Sequence, residues 1–459
     1  MASESFDVAV LGGGTGGYTA AIRAAQLGKR TAVIESNKLG GTCLHIGCIP
    51  TKALLESSGL YHKVHDRGQE YGILAPDTSF DYGRIADRRD RVVNQLWKGV
   101  QGLMKKNRIE VVEGCGVLEG EGRVRVGEDR VVSAQAIIVG TGSRPKSLPG
   151  IDFDGERIIS SDHATMAREL PRSVAIIGAG AVGVEFATFY RQMGAQVALL
   201  EALDRLVPLE DEEVSKALLQ AFKKAGIDCR VGARVQGATT SRGRVKVSLE
   251  DGEVQADRLL VAVGRAPNTE GIGLEAAGVK LTERGFVGVD QWMRTSASGV
   301  WSIGDVVGGF LLAHAAAHEG VTAAEDIAGR RVHPMEQELV TRCTYSSPEI
   351  ASVGLTEAEA KERGHQVKAG KFPFIANGRA IIHGDTEGFA KLVADAETGQ
   401  LLGAHVIGGQ ATELIGEPAL GRLFEGDAWE IGRNIHPHPT LSEAIGEAAL
   451  AVDGAALNI

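Results

Sequence analysis

No apolar run in this 459-residue chain approaches the ~20 residues that a bilayer-spanning helix needs, so no membrane span is expected. Met1-Ala2-Ser3-Glu4-Ser5 lacks the basic and apolar regions of a secretory signal, and no Arg-rich transit segment stands there either. An excess of base is missing too: 49 Lys and Arg stand against 59 Asp and Glu, a formal net charge of −10. Without a basic stripe to displace counterions, nucleic acid is not an expected partner. Cysteine is scarce, at five residues, an odd number. Cys115, Cys229 and Cys343 are scattered, which argues against the disulfide framework of a secreted protein and for a reducing cytoplasm. Low-complexity segments are absent, and no ligand cluster surrounds the His436-x-His438 pair, so no metal is expected. What remains is an ordinary globular composition, 43% hydrophobic, long enough for about three domains at ~150 residues each.

The other two cysteines are close together. Cys43 and Cys48 lie in Gly40-Gly41-Thr42-Cys43-Leu44-His45-Ile46-Gly47-Cys48-Ile49-Pro50-Thr51-Lys52, ahead of a helix-like run Lys52-Ala53-Leu54-Leu55. A thiol near a helix N-terminus feels the positive end of the macrodipole, which lowers its pKa and makes it reactive. Two such thiols beside a redox cofactor can cycle between dithiol and disulfide. Alone, the pair reads more readily as two buried structural cysteines. The neighbours decide.

Those neighbours begin with an apolar strand, Phe6 to Leu11, that ends in Gly12-Gly13-Gly14-Thr15-Gly16-Gly17. A helical pattern over Tyr18 to Leu27 follows, then a second strand, Arg30 to Ile34, closed by Glu35. Strand, G-x-G-x-x-G, helix, strand and acid in that order form the dinucleotide fingerprint. The glycines let backbone N–H groups approach a pyrophosphate at the helix N-terminus, and the acid accepts from a ribose hydroxyl. The pattern recurs in Ser173 to Ile177, Gly178-Ala179-Gly180-Ala181-Val182-Gly183, a helix to about Gly194, and Val197 to Leu200 closed by Glu201. First glycine to acid is 35 − 12 = 23 residues in one copy and 201 − 178 = 23 in the other. Two copies imply two nucleotides, most simply FAD and a nicotinamide. Glu201 favours NAD, because a carboxylate repels a 2′-phosphate; Arg205, four residues on, leaves some NADP use open.

Between the copies, 57–106 reads as helical and strands follow near Val111, Val124–Val126 and Ala136–Val139. The run Ile137 to Pro145, with Gly140-Thr141-Gly142, is paralleled by Leu259 to Asn268, one more sign of repetition. From about 336, strand-like segments at 339–345, 369–375, 389–394 and 401–407 precede a helical C-terminus, an α+β module. Near the end stands Ile435-His436-Pro437-His438-Pro439-Thr440-Leu441-Ser442-Glu443. Glu443 either orients His438 as a base or, through Thr440-x-x-Glu443, caps the following helix.

These motifs, together with Ile303-Gly304-Asp305, Leu312-Ala313-His314 and His318-Glu319-Gly320, resemble the pyridine nucleotide–disulfide oxidoreductases over essentially the whole length. His45 and Thr51 stand where the common pattern has Asn and Ser. The resemblance implies an α/β fold with two Rossmann-like dinucleotide-binding domains, for FAD and NAD, plus a C-terminal α+β dimerisation domain. The implied spans are 1–146 and 147–270 for FAD and NAD, 271–335 for a central domain completing the FAD site, and 336–459 for the interface. By carry-over Gly12, Gly14, Gly17, Glu35, Thr42, Lys52, Gly116, Thr141, Gly142, Asp305 and Ala313 hold FAD. Gly178, Gly180, Gly183, Glu185, Glu201 and Gly264 hold the nicotinamide cofactor. Lys52 pairs with Glu185 beside the flavin, and Cys43 and Cys48 form the redox-active disulfide. His438 and Glu443 serve as base and orienter, supplied to the other subunit of a homodimer.

Within the family the pattern is most similar to members that oxidise protein-bound dihydrolipoyl groups with NAD. The implied partner is then the lipoyl-bearing protein of a 2-oxo acid dehydrogenase or glycine cleavage complex. Glutathione-type reductases want basic residues around position 201, and mercuric-type reductases a C-terminal cysteine pair, which Ala455-Ala456-Leu457-Asn458-Ile459 lacks. A related reductase with another substrate and a non-catalytic flavoprotein subunit remain the alternatives.

Overall fold

The structure, a computed structural model, describes residues 4–241 and 243–459. Apolar runs dictate its parallel sheets. Val8, Ala9 and Val10 are fully buried and Leu11 nearly so, the burial of a strand covered on both faces. That strand, Glu4–Leu11, runs parallel between Thr31–Glu35 and Arg130–Val139, with Glu110–Glu113 beyond the former. The long strand Arg130–Val139 serves two neighbours. Its first half joins an antiparallel meander with Arg123–Val126 and Gly116–Gly120, and its second half pairs in parallel with Val300–Ser302. Residues after 271 thus close the first sheet from far along the chain, and the helix Ala313–Ile327 packs along Thr15–Gln26.

The second parallel sheet runs Asp228–Arg230, Gln196–Leu200, Ser173–Ile177, Arg258–Val261, Ile158–Ile159 in spatial order. Every residue of Ser173–Ile177 is buried. A short antiparallel pair, Ser143–Pro145 with Arg265–Pro267, joins the two nucleotide halves, so the two parallel-looking runs noticed in the sequence meet in space. The third large sheet is antiparallel, in the order Arg342–Thr344, Glu349–Gly354, Leu401–Gly408, Phe389–Asp395, Val367–Pro373. The helix Glu443–Ala451 lies on it closely enough that a Cβ at Gly370 would meet Ala448 O at 2.2 Å.

Two stretches differ from the sequence reading. The thiol helix opens at Cys48 rather than Lys52 and runs to Arg67; Pro50 falls in its first turn, where a missing N–H costs no bond. A second helix, Tyr82–Lys106, completes the helical region after a break around Gly68 and Gly72. The strand expected over 339–345 shrinks to Arg342–Thr344. The next backbone donors are claimed by the helix Ala181–Gln192: Tyr345 N–H by Glu185 Oε1 at 3.0 Å and Ser347 N–H by Thr188 Oγ1 at 3.2 Å. Among the described residues no helix is long and apolar enough to cross a membrane.

Candidate active site

One cavity of about 1310 Å³ runs past both fingerprints and the thiol pair. Its lining includes Gly12, Gly14, Gly17, Glu35, Thr42, Cys43, Cys48, Lys52, Gly116, Thr141 and Gly142 from the first half. Gly178, Gly180, Glu185, Glu201, Gly264, Asp305 and Ala313 line it as well. Three expected site residues stand outside that lining: Gly183, His438 and Glu443.

Each fingerprint is built the same way. In the first, the glycine turn follows Glu4–Leu11 and opens the helix Thr15–Gln26 at Gly14. In the second, Gly180 opens the helix Ala181–Gln192. A Cβ at Gly14, Gly142, Gly180 or Gly264 would meet no protein atom within 4 Å, yet all four line the cavity. Gly14 and Gly180, with φ of −64° and −72°, thereby leave room for a ligand, while Gly142 and Gly264 also hold left-handed backbones at φ 73° and 107°. Helix N-termini with free N–H groups, facing such a cradle, suit a pyrophosphate. Gly183 works differently: its Cβ would fall 1.8 Å from Gly178 O, so it lets strand and helix close on each other.

Between the fingerprints lies the thiol turn. Cys43 sits in the short helix Gly41–His45, and Cys48 is the first residue of Cys48–Arg67, at the positive end of its dipole. The two thiols are free, half-buried and within hydrogen-bonding reach of each other. The Cys43 S–H donated to it and the Lys52 charge beside it overcome burial and push Cys48 down to about 7, while Cys43 is pushed up. Cys48 is thus the more acidic thiol of the pair. Lys52 Nζ binds both oxygens of Glu185 at 2.8 and 2.7 Å and lies 4.7 Å from the Tyr345 ring centroid. The pair joins the thiol helix to the second fingerprint helix.

His438 is 79% exposed, and its Nδ1 meets Glu443 Oε1 at 2.8 Å. The other oxygen, Oε2, accepts from Thr440 N–H at 2.7 Å. Glu443 thus holds both His438 and the turn before it, but it does not cap the helix as the sequence allowed: the helix Glu443–Ala451 starts at Glu443, with Ser442 ahead of it, and the Thr440 hydroxyl donates to Pro437 O. His436 faces away to Glu417, at 2.7 Å, so the two histidines do not converge. Arg205 donates to Pro208 O at 3.1 Å.

Sequence reasoning missed the joint around Asp305. Ser143 Oγ donates to Asp305 Oδ2 at 2.5 Å, and Arg265 Nε donates to Ser143 Oγ at 2.6 Å. The signal was present in the paralleled runs 137–145 and 259–268, which pair through these same residues. Tyr345 and Cys343, which reach the site from the C-terminal module, carry no pattern of their own.

Two phosphate-ready turns, a reactive thiol pair between them and one cavity past all three define a two-nucleotide dithiol–disulfide oxidoreductase. The chain belongs to the pyridine nucleotide-disulphide oxidoreductase family: that family's model matches residues 6–320, and its dimerisation-domain model matches 340–449. It is similar to dihydrolipoyl dehydrogenase of Bacillus subtilis, 46% identical with all of both chains covered. The dihydrolipoyl dehydrogenase of Zymomonas mobilis is 45% identical, covering 99% of this chain and all of the relative. Among solved structures, LpdA of Mycobacterium tuberculosis superposes with a TM-score of 0.90 at 28% identity, covering 97% of this chain and 99% of the other. The HOCl-induced flavoprotein disulfide reductase RclA of Escherichia coli superposes at 0.86 and 27% identity, covering 96% and 99%.

Proposed function

We propose that the chain oxidises dihydrolipoyl groups to lipoyl groups with NAD as electron acceptor. The observation that carries this reading is the Cys43–Cys48 pair, backed by Lys52–Glu185, in a cavity shared with both fingerprints. The names of the relatives, 46% and 45% identical over the full chain, supply the substrate class. FAD and NAD are the cofactors. Gly12, Gly14, Gly17, Glu35, Thr42, Lys52, Gly116, Thr141, Gly142, Asp305 and Ala313 hold FAD. Gly178, Gly180, Glu185, Glu201 and Gly264 hold NAD, and Gly183 serves that site by letting its strand and helix close on each other. The divisions at 146, 270 and 335 separate the FAD, NAD, central and interface parts.

FAD held by these residues would supply a two-electron acceptor for the reduced thiols and a hydride donor for NAD. The rest is the work of the chain. His438, its Nδ1 held by Glu443, uses Nε2 to take a proton from one substrate thiol. The thiolate attacks Cys43 Sγ; the Cys43–Cys48 bond breaks and Cys48 leaves as a thiolate, stabilised by Lys52 and its helix N-terminus. The second substrate thiol attacks the substrate sulfur bonded to Cys43. Lipoyl disulfide is released, Cys43 leaves as a thiolate and takes the proton of that second thiol, and the first proton stays on His438. One disulfide has formed and one has been reduced.

His438 lies outside the cavity lining of its own chain. Together with the dimerisation-domain match, this supports a homodimer in which each subunit's His438 serves the other's thiols. The partner is the lipoyl-bearing protein of a 2-oxo acid dehydrogenase or glycine cleavage complex, and a reducing cytoplasm suits a cycling thiol pair. NAD is preferred to NADP because Glu201 faces the cavity while the Arg205 guanidinium is engaged by Pro208. Steady-state reduction of NAD by dihydrolipoamide, beside NADP, tests the reading. Rapid NAD-linked turnover supports it; none, on protein whose flavin NADH reduces, would assign another disulfide substrate.

A further inference from the structure

The segment from Glu201 to Asp211 leaves the acidic end of the second fingerprint, skirts the cavity with Ala202 and Leu209, and ends at the helix Glu212–Lys224. Two bonds anchor its near end to the glycine turn. Glu201 Oε2 accepts from Ala179 N–H at 2.7 Å, and Val207 N–H donates to Ala179 O at 2.9 Å. Val207 has φ 40°, in the left-handed region that a β-branched residue rarely enters. Such a residue persists only where its surroundings over-determine it, so the far end must be held as firmly as the near one.

Charges from the C-terminal sheet hold it. Arg342, Ser352, His405, Lys391 and Lys371 are successive register partners across the five strands and so share one face. Arg342 pairs with Glu210 at 3.2 Å. Lys391, itself buried, binds Asp211 at 3.1 Å, Glu213 at 2.9 Å and Glu357 at 2.8 Å. Charges buried in this way are a poor source of stability, since apolar residues of similar size do as well or better. Arg342 Nη2, Glu210 Oε2, Ser352 Oγ and His405 Nδ1 are moreover buried without a protein partner, which costs further. A row this expensive fixes a geometry.

We infer that the Lys391–Asp211 and Arg342–Glu210 pairs position the 201–211 segment and, through Ala179 and Glu201, set the affinity of the second fingerprint for its pyridine nucleotide. The inference rests on the NAD reading proposed above. Neither cation lines the cavity, so both are positioning residues.

The test is calorimetric titration of the FAD-loaded enzyme with NAD, beside steady-state kinetics and the rate at which dihydrolipoamide reduces the thiols. In Lys391→Met, Kd and KM for NAD rise about three- to tenfold, with kcat and thiol reduction unchanged, and Lys391→Arg restores them. Asp211→Asn keeps the oxygen that accepts Glu213 N–H at 3.0 Å and removes only the charge. It shows the same rise and serves where Lys391→Met does not fold. Unchanged NAD affinity in Asp211→Asn overturns the inference, as do equal losses of NAD affinity and thiol reduction. If the unmutated enzyme binds no NAD, the proposed function fails first and takes the inference with it.

Discussion

In the first fingerprint Glu35 accepts from Gly13 N–H at 2.7 Å and Asn37 N–H at 2.8 Å; in the second Glu201 accepts from Ala179 N–H at 2.7 Å and Leu203 N–H at 2.9 Å. A Cβ at Gly17 would fall 1.9 Å from Gly12 O, and one at Gly183 would fall 1.8 Å from Gly178 O. Two distant stretches with little else in common thus reach one geometry, because the same strand, turn and acid impose it. They part after the acid. Beyond Glu35 the chain enters the thiol turn and the helices Cys48–Arg67 and Tyr82–Lys106. Beyond Glu201 it enters the anchored segment that leads to the C-terminal sheet. The repeat makes two nucleotide sites, and the segment after each acid sets them apart. One site exchanges electrons with sulfur, and the other has its nucleotide affinity tuned from the C-terminal sheet.

The sharpest way to break this division is to remove the thiolate. Cys48→Ser should lower dithiol-driven turnover by about 10³-fold or more while calorimetric NAD binding stays unchanged. A parallel loss of NAD binding would mean that the halves do not divide the work. Glu201→Arg attacks the other half. It should shift the NAD-to-NADP ratio of kcat/KM by about 10²-fold and leave thiol reduction intact, and an unshifted ratio would misplace the ribose contact. Gly17→Ala and Gly183→Ala test the shared geometry, each costing about 1–3 kcal/mol in urea unfolding. The first should lose FAD absorbance, whereas the second keeps it and raises KM for NAD.

Two smaller effects sharpen the contrast. Glu443→Gln should lower kcat about tenfold by freeing the His438 ring, without touching either nucleotide affinity. The pH profile of iodoacetamide alkylation of the reduced protein should show Cys48 reactive above a midpoint of about 7 and protonated below it. Lys52→Met, which removes a cation that favours the thiolate, should move that midpoint upward.

Much of this division is written in local sequence. Gly12 to Glu35 and Gly178 to Glu201 are legible because strand, turn, helix and acid are neighbours in the chain, with the same spacing of 23 residues. Cys43 and Cys48 are legible for the same reason. Lys52–Glu185, 133 residues apart, could be expected only from the resemblance, since no local pattern pairs a lysine on one helix with a glutamate on another. The Ser143–Asp305 bond spans 162 residues and went unread, as did the row from Arg342 to Lys371, whose members align only once strand register is known. Alternating residues of a strand say which face is shared, but not which strand lies beside it. The shortened strand Arg342–Thr344 has the same origin: its missing partners were backbone donors captured by another helix.

The most direct test of the account is anaerobic reduction of the Cys43→Ser protein, monitored by flavin absorbance, with NADH and dihydrolipoamide offered separately. The account predicts that NADH still bleaches the flavin of the variant and that dihydrolipoamide does not. Bleaching of the variant by dihydrolipoamide at the unmutated rate would contradict it, because electrons would then enter without the thiol pair.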